Sequence, residues 1–148
     1  MWKKYPPITA CPIPNSDDWE IIEDYTFEWK GVKYTIEAPF VIDGASIPRL
    51  LWPVITSPFH PRIVTGGGVH DFIFRSPHIN IPFPDANLLL KHIITDHGLK
   101  YWKCKAVHKA VALCGKKHYQ ERVIPLVSDE EIAETRETAS KLYESPEW

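Results

Sequence analysis

The sequence has no long apolar run and almost no excess of charge of either sign. No segment approaches the roughly 18 consecutive apolar residues that a membrane-spanning helix needs. The formal net charge of −2 excludes a broad positive surface for nucleic acid. The first residues, MWKKYPPITA, carry two lysines without an apolar run behind them, so a signal peptide is not expected.

Cysteine is also scarce. The three cysteines, Cys11, Cys104 and Cys114, form an odd set without a close pair. They therefore do not predict a disulfide scaffold, and they favour a reducing compartment. Cys104 and Cys114 fall in an apolar helical pattern, which is typical of buried structural thiols.

What is present is the composition of one globular domain. The chain of 148 residues is 44% hydrophobic and 12% aromatic. It is long enough for one domain with its own core and too short for two well-packed domains. Eleven of the fourteen prolines cluster at residues 6–14, 48–61 and 77–84. Proline fixes one backbone angle and removes a donor, so these regions are predicted to be rigid connections.

Strand-like patterns come first and helical patterns follow. Tyr25, Phe27 and Trp29 alternate with polar residues, and Gly31 follows at a position suited to a hairpin turn. This order predicts an α+β fold: a small N-terminal antiparallel sheet of two or three strands against a bundle of three to four helices. The segments of this single domain are an extended arm (1–17), strands (18–42), a helical core (46–119) and a C-terminal helix (128–145).

Residues that typically begin or end helices recur in the second half of the chain. Ser46 is predicted to cap a short helix that ends at Pro53. Gly66, Gly67 and Gly68 are unfavourable inside the next helix, so either another element packs very close there or the helix begins near Val69. The clearest helix begins at Pro84 or Asp85 and stops at Gly98. Its Asp85, Leu89, His92 and Asp96 are spaced 4, 3 and 4 apart and should share a face.

The adjacent His70 and Asp71 indicate a metal site. Imidazole and carboxylate bind the same divalent ions, zinc among them. Asp85 is the natural further ligand, and Asp43, held in a turn by Gly44, is a third carboxylate that could point to the same place.

Each of these residues also has a purely structural interpretation. Asp43 is a typical turn residue, and Asp85 after Pro84 is a typical N-cap. His70 beside an apolar run is more often a core histidine than a ligand. Arg49 could neutralise Asp43 or Asp71 in a buried ion-pair network.

The stretches DGASIPRLLW, HDFIF, DANLLLKHII and AVHKAVALCG together resemble a family of small proteins of unknown function found mostly in phages and prophages. The resemblance covers roughly residues 36–119. The matching positions are Asp43, Ser46, Pro48, Arg49, His70, Asp71 and Asp85. The chain departs from the pattern at Gly66, Gly67 and Gly68, where small apolar residues are usual, and at Phe72 and Ile73. The resemblance implies a phage context and shared polar positions but no established activity.

Two functions compete, and the first is a metal-dependent hydrolase. His70, Asp71 and Asp85 would hold a divalent ion such as zinc, with Asp43 as an optional further ligand, and the ion would lower the pKa of a bound water. Arg49 would stabilise developing negative charge, with Asp43 and Asp71 completing the catalytic set. Six polar positions match the family pattern, which is more than a purely structural ion pair needs, and this slightly favours the hydrolase.

The second function is a non-catalytic virion protein, of tail or baseplate, or an assembly factor. Here Asp43 caps a turn and Arg49 pairs with Asp71 in a structural clasp. Other phage structural proteins would bind the Pro-rich arm and the charged C-terminal helix, and neither nucleic acid nor a membrane span is expected. A protein that binds a host component is a weaker third interpretation. Either leading function places the protein in the host cytoplasm or in the assembled particle.

Overall fold

The predicted β-hairpin is present in the structure, a computed structural model that describes residues 4–42, 53 and 59–115. Its strands are Tyr25–Trp29 and Val32–Ile36, which we call β3 and β4 in chain order; they pair antiparallel with Trp29 opposite Val32. Lys30 and Gly31 connect them with φ of 49° and 78°. Positive φ at both positions is the geometry of the two-residue turn that matches strand twist, and glycine adopts it without a steric cost.

The strands of a second sheet precede and follow this hairpin in the sequence. It contains β1 (Ala10–Pro12), β2 (Trp19–Ile21) and β5 (Phe40–Ile42), in the order β1-β2-β5 with both pairings antiparallel. The sequence did not predict β1, because three residues that include a proline carry no alternating pattern. Proline is tolerated there because β1 lies at the edge of the sheet, where one row of hydrogen bonds is absent.

Three helices follow in the described part of the chain: α1 (Val64–Arg75), α2 (Phe83–Asp96) and α3 (Tyr101–Cys114). The predicted stop of α2 at Gly98 is confirmed, and this glycine has a left-handed φ of 83°. The N-cap interpretation of Asp85 is wrong, since Pro82 occupies the N-cap and Asp85 lies inside the first turn. The predicted helices that begin at Ser46 and at residue 128 lie outside the described residues.

Helix α2 is the central element, because its two apolar sides contact different cores. Leu89 and Ile93 belong to a core shared with both sheets and α1. Leu90 and Ile94 belong to a second core shared with α3. All four side chains are at most 1% exposed, and burial of such a side chain is worth about 1.5–3 kcal/mol. The α+β prediction is thus confirmed, with five strands in two sheets among the described residues.

The N-terminal arm lies along this body. The Tyr25 hydroxyl donates to the Pro6 carbonyl at 2.8 Å, and the Ile8 amide donates to the Thr65 hydroxyl at 3.1 Å. Tyr5 is only 4% exposed. The arm therefore contributes directly to the core that carries the candidate site.

Candidate functional site

The glycines before His70 allow α1 to approach its neighbours on two sides. A Cβ at Gly66 would lie 2.8 Å from Leu90 Cδ1 of α2, and a Cβ at Gly68 would lie 3.1 Å from Ile42 Cδ1 of β5. Both distances are shorter than ordinary carbon contacts. Helix α1 begins at Val64, so the first of the two sequence interpretations is confirmed: other elements pack very close to this helix.

His70 lies on the side of α1 that contacts α2, four residues after Gly66. Its Nε2–H donates to Asn87 Oδ1 across 2.8 Å, and the ring of Phe74 lies 4.1 Å from the imidazole, centroid to centroid. The residue is 1% exposed. Burial lowers the pKa of His70 from 6.5 to about 4, although the hydrogen bond to Asn87 partly opposes that shift. The imidazole is therefore neutral at physiological pH.

Asn87 is a residue of this site that the sequence analysis missed. It is 2% exposed and supplies the acceptor for His70. A signal was available: Asn87 precedes Leu90 and Ile94 by three and seven residues, which puts an amide on the buried stripe of α2. A buried amide needs a polar partner, and His70 is that partner.

Asp71 lies on a different side of α1 from His70, because neighbouring helical residues point about 100° apart. It follows Gly68 by three residues and precedes Arg75 by four, so the three share the side that contacts β5. Arg75 Nη1 donates to the Val41 carbonyl of that strand at 2.7 Å. Asp71 itself is 4% exposed, so its carboxyl group is buried.

Strand β5 leads to the motif that contains Asp43 and Arg49. The strand ends at Ile42, and α1, which carries Asp71, contacts this strand. Asp43 and Arg49 themselves lie outside the described residues. Their predicted roles, in catalysis or in an ion pair with Asp71, stay predictions.

Asp85 contacts the β3–β4 hairpin. Its Oδ2 lies 2.9 Å from Lys30 Nζ and accepts a hydrogen bond from Trp29 Nε1 at 3.3 Å. The hydrogen bond from Lys30 holds the pKa of Asp85 below its usual range. Asp85 and Asn87 are two residues apart on α2, about 200° around the helix, so the contacts of Asp85 and of His70 lie on opposite sides of α2.

Asp85, Leu89, His92 and Asp96 share one face of α2, as the sequence predicted. The polar residues of this face contact the N-terminal half of the chain. The His92 ring lies 5.7 Å from the Trp29 ring, centroid to centroid. Asp96 Oδ2 accepts the backbone N–H groups of Lys4 and Tyr5 at 3.1 and 3.0 Å. Together with Asp85, these side chains attach the hairpin and the arm to one helix.

A buried carboxylate on the three-stranded sheet was also missed. Glu20, in the central strand β2, is 9% exposed, and its Oε1 has no hydrogen-bond partner among the described residues. It stands opposite Cys11 and Val41 on the neighbouring strands. Ile21, next along β2, has its side chain at α1, so Glu20 points to the other face of the sheet.

No three histidine, cysteine, aspartate or glutamate side chains within residues 4–42, 53 and 59–115 form a group that could hold a metal ion. A site completed by Asp43 extends beyond those residues. In the same described part, no helix has the length and apolar character needed to cross a membrane.

Residues 19–111, from the first residue of β2 into α3, match the family described as "Protein of unknown function (DUF1353)". The chain belongs to this family. The DUF1353 match includes His70, Asp71, Asp85 and Asn87, as well as the segment with Asp43 and Arg49. The N-terminal arm, with β1, and the residues after 111 lie outside it.

A curated relative carries a related sequence. The chain is 29% identical over 113 residues to "Uncharacterized protein y4jT" of Sinorhizobium fredii (strain NBRC 101917 / NGR234). The alignment covers 73% of this chain. The matched part is 31% of the relative, so this DUF1353 chain spans about a third of that protein's length. No solved structure matches the chain.

Proposed function

We propose that this DUF1353 chain is a non-catalytic phage assembly or virion protein, in which the polar positions shared with the family hold the fold together. The observation that carries the proposal is the engagement of His70 and Asp85. His70 is bonded to Asn87 between two helices, and Asp85 is bonded to Lys30 and Trp29 of the hairpin. Each residue has a complete structural role without an ion.

The phage context rests on the sequence pattern. The Asp-Gly-Ala-Ser-Ile-Pro-Arg segment followed by His-Asp is the feature that resembles phage-borne proteins. The same segment follows β5 directly in the sequence, and α1, which carries Asp71, contacts that strand. An ion pair between Arg49 and Asp71 at this place would close the fold around its N-terminal strands. A buried ion pair of this kind is strongly destabilising when one partner is removed, by about 3–5 kcal/mol.

A metal-dependent hydrolase is the second candidate, and one observation favours it. Asp71 is a buried carboxyl group, and the segment that brings Asp43 begins at the adjacent strand end. Two carboxylates at one place would suit a divalent ion such as zinc. The ion would activate water, and Arg49 would stabilise negative charge on the substrate.

Elemental analysis separates the two candidates. The full-length wild type, Asp71→Asn and the control Asp18→Asn would be purified without chelator, and divalent metals measured by mass spectrometry. Thermal melts with and without EDTA would accompany each sample. We expect no stoichiometric metal, no effect of EDTA, and a large loss of melting temperature in Asp71→Asn alone. One divalent ion per chain, present in Asp18→Asn and lost in Asp71→Asn, would replace our proposal with the hydrolase.

The assembly role needs its own test, because a structural clasp is compatible with many functions. Phage particles carrying a tagged copy of this chain would be purified from an induced host and quantified by mass spectrometry. We expect the chain in fixed stoichiometry with particles or with an assembly intermediate. Recovery of the chain only as free protein, absent from particles and from assembly intermediates, would contradict the proposal.

A further inference from the structure

The most exposed apolar side chains of the described residues all lie on α3. Leu113 is 73% exposed, Tyr101 is 68% exposed and Trp102 is 54% exposed. The large apolar side chains exposed elsewhere in the described part, such as Val32 at 50%, are scattered singly. A group of exposed apolar residues on one element marks an interaction surface more often than scattered ones do.

Helix α3 has two distinct sides. Its buried side faces α2 and contains Cys104, Val107 and Val111. The outer side follows the same helical spacing on the opposite surface, and we define this outer surface of α3 by Tyr101, Trp102, Lys105, Lys109 and Leu113. Trp102, Lys105, Lys109 and Leu113 are 3, 4 and 4 residues apart, so they form one continuous stripe.

The outer surface of α3 is positively charged as well as apolar. The helix contains Lys103, Lys105 and Lys109 and no acidic residue. Lys105 Nζ lies 4.9 Å from the Tyr101 ring centroid, and Lys103 Nζ lies 5.6 Å from that of Trp102. The ammonium groups thus stay beside the aromatic rings. An occupant of this surface should be acidic and should carry apolar side chains.

We infer that the outer surface of α3 binds the acidic C-terminal segment of this same chain, residues 128–148. The segment has seven acidic and two basic residues, a formal charge of −5, although the whole chain has a net charge of only −2. It also carries apolar side chains, among them Ile132, Leu142, Tyr143 and Trp148. Both properties are complementary to the outer surface of α3.

The connection is long enough for this contact. Residues 116–127 separate the end of α3 from the segment. Twelve residues span up to about 40 Å when extended, whereas α3, with 14 residues, is about 21 Å long. The segment can therefore reach either end of α3. A short tether gives an effective concentration in the millimolar range, which favours it over an untethered acidic protein.

Carbodiimide cross-linking of the full-length chain tests the contact. The reagent joins a lysine to a carboxylate only when the two are in contact, and the products would be mapped by mass spectrometry over a range of protein concentrations. We expect Lys105 and Lys109 to be linked to acidic residues of 128–148, within monomers and independently of concentration. Links that form only between chains and increase with concentration would overturn the inference, since a second copy would then occupy the surface. Absence of these links would overturn it too.

A charge-exchange series provides the matched control. Lysine acetylation rates of Lys105 and Lys109 would be compared between wild type and Glu134→Lys/Glu137→Lys, with Lys33 on the hairpin as the reference lysine. We expect several-fold faster acetylation of both lysines in that variant and no change at Lys33. The full exchange, with Lys105→Glu and Lys109→Glu added, should restore the cross-links with reversed partners. Equal acetylation rates in wild type and variant would show that the surface is free. These outcomes do not depend on whether the protein is an assembly factor or a hydrolase.

Discussion

His70 Nε2 lies 2.8 Å from Asn87 Oδ1, across the interface between α1 and α2. Each residue is at most 2% exposed, so neither can exchange its partner for water. The close approach of α1 to Leu90, which Gly66 permits, brings the two polar groups together. His70, which the sequence suggested as a metal ligand, therefore forms a buried hydrogen-bonded pair with Asn87 that joins the two helices.

The first prediction concerns this pair. Asn87→Leu removes the acceptor but keeps the volume, so the His70 N–H loses its partner. We expect the free energy of unfolding to fall by about 1–3 kcal/mol in urea titrations. His78→Ala, at an exposed histidine, should change it by less than about 0.5 kcal/mol.

The double variant His70→Leu/Asn87→Leu makes that prediction specific. Because both polar partners are gone, its loss should be smaller than the sum of the single losses by about 0.5–3 kcal/mol. Strict additivity would mean that the two residues do not stabilise each other.

The second prediction is a pH dependence of stability. The pKa of His70 is about 4 in the folded protein and about 6.5 in the unfolded chain, so between these values the unfolded chain binds more protons. The contribution of His70 is complete above pH 6.5, decreases as the pH falls, and is lost below pH 4. A difference of this size corresponds to about 3 kcal/mol.

Two measurements check the second prediction. The ring proton signals of His70 in NMR spectra should not titrate between pH 8 and pH 5. The free energy of unfolding, measured in urea, should decline from pH 6.5 to pH 4, and less steeply in His70→Leu. Burial also lowers the pKa of His92 and His108, so part of the decline should persist in the variant. A His70 signal that titrates near pH 6.5 would contradict the prediction.

The third prediction concerns the contact between α2 and the hairpin. Lys30 is 67% exposed, so Lys30→Met should lower the free energy of unfolding by no more than about 1 kcal/mol. That difference should become smaller in 1 M salt, where the screening length of about 3 Å is close to the 2.9 Å separation of the pair. Asp85→Ala should cost more than Lys30→Met, because it also removes the acceptor for Trp29. Lys100→Ala, an exposed lysine before α3, is the control in these salt-dependent melts.

The result for Asp85 also discriminates between functions. If Asp85 binds only Lys30 and Trp29, EDTA will affect neither Asp85→Asn nor Lys30→Met. An EDTA effect on the wild type that disappears in Asp85→Asn, but persists in Lys30→Met, would instead make Asp85 a metal ligand.

The fourth prediction concerns the glycines of α1. Gly66→Val places carbon atoms where Leu90 Cδ1 and Ile94 Cγ2 would lie 2.8 and 3.0 Å from the new Cβ. We expect a loss of about 1–3 kcal/mol from overpacking in chemical denaturation. Leu90→Ala should rescue part of it, so the double variant should be more stable than the summed losses imply. If no rescue occurs, the two helices do not meet at this glycine.

Local sequence patterns were sufficient to predict several features. Alternation at Tyr25, Phe27 and Trp29, followed by Gly31, predicted the hairpin, because a two-residue turn restricts both register and residue type. Helical spacing placed Asp85, His92 and Asp96 on one face of α2, and Gly98 ended that helix. These features depend on backbone geometry that repeats over a few residues.

The partners of the candidate site residues could not be predicted in this way. His70 and Asp71 are neighbours in the sequence, yet the helix turns one toward α2 and the other toward β5. Asn87, which completes the contact of His70, is 17 residues away in the chain. The sequence suggested Asp85 as a metal ligand, but its carboxylate contacts Lys30, which lies more than 50 residues earlier in the hairpin turn.

The sequence by itself determined the fold class, the hairpin and the polar face of α2, because each follows from a local period or a turn. Only the tertiary structure decided what the polar residues contact. That choice depends on how closely α1 approaches α2 and β5, which Gly66 and Gly68 allow by having no side chain. Packing distances between distant segments are not encoded in any local pattern, so the same residues could suggest a metal site in sequence and form a structural contact in the folded chain.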